Sequence, residues 1–169
     1  RRAALTYHKD DVEVNRLREN FLTIGMAKVA KSAHEAYDLN ILEHGKDIVV
    51  VSRDRQLAIA KQQAILLADN SYTQPVKTNN IKVLGRQALG AFLVGTDQMN
   101  AGRYISEHDQ KIANKLAYVM SGGDLSEANY VSEQYLLNLE REAFLSLCGE
   151  RKTLERLQHM IKKGKPLRN

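Results

Sequence analysis

The sequence predicts a mainly α-helical chain, with about six helices and one or two short strands. Three observations carry that prediction. Apolar residues recur three and four apart through most of the 169 residues. Ser/Thr–x–x–acid starts and Gly stops bracket those stretches, as helix capping requires. A single run, Ile48, Val49, Val50 and Val51, has the β-branched character of a strand.

Residues 1–11 are polar and without pattern. Leu17, Phe21 and Ile24 then follow helical spacing, which predicts a helix over 11–30. Ser32 with Glu35 is a capping box, in which the Ser oxygen takes a free backbone N–H and the Glu reaches back. A short helix to Leu39 follows, and Asn40 sits where a left-handed C-terminal residue is expected. The strand is expected over 47–52. It has no evident neighbour, so part of its fold is expected from elsewhere. Asp54 is placed to cap the next helix, whose inward face is Leu57, Ala60, Ala64, Leu67 and Ala68. Residues 70–80, polar and containing Pro75, read as a connecting loop.

The second half is more regular. After Gly85, the residues Leu89, Phe92, Leu93, Thr96 and Met99 mark a helix, with Gly90 and Gly95 allowing close helix packing. Ser106 and Asp109 start another helix, which continues through Ile112, Ala113, Leu116, Ala117 and Met120, with Gly122-Gly123 as the stop. A long helix near Ser132 turns Leu136, Leu139, Ala143 and Leu147 inward and ends at Gly149. The last helix carries Leu154, Leu157 and Ile161 and stops at Gly164 and Pro166.

Composition excludes several classes. No apolar run approaches the roughly 20 residues of a membrane span. A lone cysteine, Cys148, cannot form an internal disulfide and fits a reducing, cytoplasmic setting. The net charge is +5 and is unevenly spread. Residues 151–169 hold seven basic residues against one acid, Glu155, or +6, so the other 150 residues sum to about −1. A near-neutral body with a basic tail suits an anion-binding tip, and equally a solvated helix end.

Catalytic arrangements do not assemble. His8, His34, His44, His108 and His159 lie in no zinc-ligand spacing, and no metal site is expected. His108 and Asp109 share the first turn of a capped helix, where an acid favours the dipole, so they read as a cap rather than a dyad. Gly85, Gly90 and Gly95 are not a dinucleotide fingerprint. Gly122-Gly123-Asp124 reads as a turn, Cys148 as a structural thiol, and Glu133, Glu140 and Glu142 as a solvated face. Lys162, Lys163 and Lys165 cluster at a helix stop and could meet a phosphate as point charges. The tail has no aromatic residue, so single-stranded nucleic acid is not the expected partner.

Two segments resemble the crotonase (enoyl-CoA hydratase/isomerase) superfamily. Ser32-Ala33-His34-Glu35-Ala36-Tyr37-Asp38-Leu39-Asn40-Ile41-Leu42 is similar to the family's S-A-x-E-A-x-x-L-G-L-V stretch, with Asn40 in place of Gly. His159-Met160-Ile161-Lys162-Lys163-Gly164-Lys165-Pro166 is similar to its A-F-L-E-K-R-K-P ending, matching at Lys163, Lys165 and Pro166. Runs 102–109, 115–119, 133–137, 140–147 and 158–169 further resemble the end of the long bacterial 3-hydroxyacyl-CoA dehydrogenases, which join an NAD-binding dehydrogenase part to a hydratase-like part.

The resemblance implies a fragment of a β-oxidation protein: residues 1–70 as the end of a crotonase-like core and 71–169 as a C-terminal helical subdomain. It implies that no catalytic residue and no cofactor belongs to this chain. The parent would use NAD and coenzyme A thioesters. The expected partners are the rest of the parent polypeptide, acyl-CoA and, in an oligomer, a second copy through the C-terminal helices. The resemblance makes Lys163, then Lys165 and Lys162, the expected CoA phosphate contacts. The alternative is a self-standing helical interaction or nucleic-acid-binding module that uses the basic tail.

Overall fold

A computed structural model describes residue 4, residues 9–77 and residues 79–169. Its described helices are α1 (Glu13–Gly25), α2 (Ala33–Asp38), α3 (Gln56–Asp69), α4 (Gly85–Ala101), α5 (Glu107–Ser121), α6 (Glu133–Cys148) and α7 (Arg151–Lys163). A 3-10 turn, Arg53–Arg55, precedes α3. Two three-residue strands, β1 (Ile81–Val83) and β2 (Asn129–Val131), pair antiparallel with Ile81 opposite Val131. The mainly helical class expected from the sequence is what the chain adopts.

Contacts divide the chain into residues 28–77 and a unit formed by residues 1–27 with 78–169. These boundaries differ from the 70/71 boundary expected from the sequence. The larger unit has a core because its helices put apolar faces together. Leu17 and Phe21 of α1, Ala88 and Phe92 of α4, and Ala117 of α5 are buried in one cluster with Leu84. Phe21 stacks on Phe92 with ring centroids 4.8 Å apart and nearly parallel. Such a pair adds about 0.5–1.5 kcal/mol beyond its area burial. Inside the same unit, Thr96 on α4 is buried yet satisfied, since its hydroxyl donates to Asn114 Oδ1 of α5 at 2.6 Å. Gly90 and Gly95 do not serve close packing as expected: a Cβ at either would meet open space.

The ribbon fixes the entry to α4. Lys82 of β1 pairs with Glu13 of α1 at 2.6 Å. The Arg86 backbone N–H donates to Leu125 O at 2.8 Å. The α5 capping box is present in full: Ser106 accepts from the Asp109 N–H, and Asp109 accepts from the Ser106 N–H. Gly122 then ends α5 in the left-handed region, at φ +89°. A Cβ there would lie 2.5 Å from Val83 Cγ2, so the stop and the approach of β1 both depend on that glycine. Tyr135 of α6 donates its hydroxyl to Gly122 O at 3.0 Å, tying α6 to the same corner.

Residues 28–77 are built differently. Ser32 caps α2 by accepting from Glu35 N–H, as expected, while the Glu35 carboxylate accepts from Lys31 N–H rather than from Ser32. Asn40 is left-handed at φ +55°, as expected. Tyr37 stacks on His44 and donates to Asp47 O. Beyond this turn most apolar residues are uncovered. The strand expected over 47–52 is not formed: these residues join no ladder, and Val51 is 99% exposed. A strand exists only with a partner, and none lies beside it among the described residues. Asp54 does not cap α3: it lies inside the 3-10 turn, and Arg55 occupies the N-cap with no side-chain bond. The expected inward face of α3 is also absent, with no residue of the helix buried and Leu57 82% exposed. Each large apolar side chain left in water forgoes about 1.5–3 kcal/mol. The first helix is likewise shorter than 11–30: it stops at Gly25, and Ala27 at φ +51° turns the chain away.

A Gly122→Ala substitution is expected to destabilise the 169-residue chain by about 2–4 kcal/mol, from left-handed strain plus the Val83 clash. Urea unfolding followed by circular dichroism measures this. A Gly90→Ala control, on an exposed helix face, should leave stability unchanged or slightly raised.

Candidate functional site

The basic tail begins with α7. Seven cations within residues 151–169 would repel one another, yet the segment is held in a defined path. Arg156 does most of the holding. Its Nη1 donates to Asp109 Oδ1 at 2.6 Å, its Nε to Asn169 Oδ1 at 2.8 Å and its Nη2 to the Asn169 backbone oxygen at 3.2 Å. Asn169 Nδ2 donates to Glu155 Oε2 at 2.8 Å. The chain after Gly164, which is left-handed at φ +63°, thus doubles back along α7. His108 completes the contact between α5 and α7: its Nε2 lies 3.0 Å from the Thr153 hydroxyl, with both side chains buried.

These bonds set the protonation states. Burial pushes the His108 imidazole below its ordinary value of 6.5, and the nearby Arg156 charge pushes the same way. Burial alone would raise Asp109, but hydrogen bonds from Arg156 and Ser106 outweigh it and hold the carboxyl below its ordinary range. Asp109 therefore caps α5 and anchors Arg156 at once. His108 and Asp109 do not bond to each other, and the cap reading of this pair holds. The Arg156–Asn169 clamp was not foreseen from the sequence, because its partners are 13 and 47 residues apart and carry no spacing signal.

The expected anion contacts lie at the end of this clamped helix. Lys162 and Lys163 occupy the last turn of α7, where the helix dipole favours cations, and Lys165 follows the Gly164 stop. All three are exposed, and no ion pair among the described residues uses them. Lys162, Lys163 and Lys165 thus stay close in the chain at the helix end, exposed to water. The apolar residues of α7 face outward: Leu154, Leu157, Met160 and Ile161 are exposed, and Thr153, Arg156 and His159 lie on the sheltered side.

Other candidate chemistry does not assemble. Among the described residues, no group of three His, Cys, Asp or Glu could hold a metal, and His8 lies outside those residues. Cys148 is free and half-buried. The N–H groups of Gly122 and Gly123 donate to Val119 O and Tyr118 O, so they are not available to cradle a phosphate. A shallow cleft of about 320 Å³ opens between residues 11–14 and Leu84, Gln87, Ala88 and Ala91. Its two acids are already neutralised, Asp11 by Arg16 and Glu13 by Lys82, and the tail lysines do not line it. No helix of the described residues is long and apolar enough to cross a membrane.

What remains is a helical body that presents a cationic tip. Comparison with known proteins gives this a setting. The chain is 51% identical over 156 residues, 92% of its length, to a probable 3-hydroxyacyl-CoA dehydrogenase of Bacillus subtilis (strain 168). It spans about 20% of that relative's length. No known family profile matches the chain, and no solved structure matches it.

Two outcomes follow from the clamp. Replacing Arg156 with Ala should cost about 2 kcal/mol in urea unfolding, because charge-assisted bonds to Asp109 and Asn169 are lost together. The second concerns pH. An imidazole with a lowered folded value binds fewer protons folded than unfolded, so stability falls as pH drops through 6.5. Unfolding between about pH 7.5 and pH 5.5 should show this loss, and His108→Gln should flatten it. Asp109 acts oppositely in its own range: its stabilisation is fully present at neutral pH and is lost only in acid, as the pH falls from the ordinary carboxyl range through its depressed folded value.

Proposed function

We propose that this chain is one portion of a longer polypeptide that oxidises 3-hydroxyacyl-CoA with NAD in fatty-acid β-oxidation and carries a hydratase/isomerase-like part. The identity of 51% to the Bacillus subtilis relative, sustained over 92% of the chain, is the observation that carries this reading. The chain itself supplies no reacting group. It completes the acyl-CoA-binding part and lends its cationic tip to the phosphates of coenzyme A.

Lys163 and Lys165 are the proposed phosphate contacts, with Lys162 beside them. Their ammonium groups are exposed and free of ion pairs among the described residues, so a phosphate need displace no bound carboxylate. The helix dipole, which favours cations here, would not by itself draw an anion. Attraction therefore rests on the lysines. The Arg156–Asn169 clamp holds the segment that carries them and so reduces the ordering cost of binding.

The test uses a chimera in which this chain replaces the matched fifth of the Bacillus subtilis relative. The double substitution Lys163→Ala/Lys165→Ala should weaken acyl-CoA binding about 10-fold, with the affinity falling as salt rises. The 169-residue chain alone should show no dehydrogenase or hydratase turnover. An unchanged affinity in the double variant would remove the tail from the CoA site. Steep salt-dependent DNA binding by the 169-residue chain, with no response to CoA, would favour a nucleic-acid-binding module instead.

A further inference from the structure

We propose that residues 48–51 are a strand that inserts into a β-sheet supplied by sequence outside these 169 residues, with α3 covering one face of that sheet. This rests on the reading of the chain as one portion of a longer polypeptide.

Four observations converge on it. Ile48, Val49, Val50 and Val51 are consecutive and β-branched, yet they join no ladder among the described residues. A strand exposed on one side alternates apolar and polar, whereas an unbroken apolar run suits a strand covered on both faces. Ile48, Val49 and Val51 are exposed in the chain as it stands. Second, α3 carries Leu57, Ile59, Ile65, Leu66 and Leu67 on different sides, with Lys61, Gln62 and Gln63 between them, and none of its residues is buried. Ile65, Leu66 and Leu67 are each about half exposed and point to different sides of the helix. A helix of that kind belongs inside a protein. Third, the order is run, short turn at Arg53–Arg55, then helix, which is half of a strand–helix–strand unit whose helix lies on its own sheet. Fourth, the run is bounded by Lys46 and Asp47 before it and by Arg53, Asp54 and Arg55 after it, so charge marks both ends of the segment to be buried.

The occupant follows from what each candidate would cover. A second copy offers only another lone run. Two such runs would pair into a two-stranded ribbon, which leaves one edge of each run open and is marginal in water. The described strands of this chain, β1 and β2, are three residues long and already take each other. A sheet of several strands takes both edges of the run and gives α3 a face wide enough to lie on. The relative that matches this chain has about four times as much sequence outside the match as within it, which is ample for such a sheet.

Hydrogen–deuterium exchange tests the insertion. Peptides covering 48–52 and 56–69 are followed in the 169-residue chain at two concentrations and in the chimera with the Bacillus subtilis relative. The expected result is fast exchange in the 169-residue chain at both concentrations, and exchange slowed at least ~100-fold in the chimera. Val50→Asp in the chimera should restore fast exchange at 48–69 and leave a peptide over 88–96 unchanged. A chimera that turns over normally yet exchanges fast at 48–52 overturns the insertion and leaves the wider reading standing. Slow exchange at 48–52 without acyl-CoA turnover does the reverse. Protection that grows with concentration in the 169-residue chain assigns the surface to a second copy and overturns the proposal.

Discussion

The larger unit depends on the stack of Phe21 on Phe92. It joins α1 to α4, which are separated in sequence by the whole of residues 28–77. With Leu17, Leu84, Ala88 and Ala117 it forms the apolar cluster on which the rest is arranged. The β1–β2 ribbon sets the direction in which α4 leaves, and the Gly122 corner lets β1 approach the end of α5. The Tyr135 bond to that corner places α6, and α7 follows after a short turn. The cationic tip is therefore the last link of a path that starts at two phenylalanines.

Polar and apolar roles are exchanged in α7. Its sheltered side makes polar contacts, His108 to Thr153 and Arg156 to Asp109 and Asn169, while Leu154, Leu157 and Ile161 face outward. The same excess of exposed apolar surface runs through residues 48–51 and α3. A chain that folded for itself would bury such residues before it satisfied surface ion pairs, since apolar burial is the dominant favourable contribution to folding. The uncovered residues are consistent with a portion of a longer polypeptide, and that is the proposed setting.

Legibility in the sequence followed the range of the forces involved. Local devices were readable. The Ser106–Asp109 box, the Ser32 cap, the left-handed Asn40 and the Gly122 and Gly164 stops all act within one turn, and the structure contains each of them. The helical spacing of α4 and α5 and the inward face of α6 were readable too, because their partners lie in this chain. The valine run and α3 were misplaced because periodicity and propensity state what a segment would bury, not whether a partner is present. The short β1 and β2 were missed: three residues give too few alternations to register as strands. In the tail, the lysine cluster was visible as charge. Its clamp was not, because Arg156, Asp109 and Asn169 meet only through the packing of α5 and α7.

The proposed setting of this chain is a longer 3-hydroxyacyl-CoA dehydrogenase. Complementation tests it most directly. The Bacillus subtilis relative is prepared without the fifth that this chain matches, and then with this chain in its place, and NAD reduction by a 3-hydroxyacyl-CoA is followed for both. The truncated protein is expected to be insoluble or impaired in acyl-CoA binding, and the chimera to recover the turnover of the intact relative. A truncated protein as active as the intact one, or a soluble chimera that binds no acyl-CoA, would contradict it.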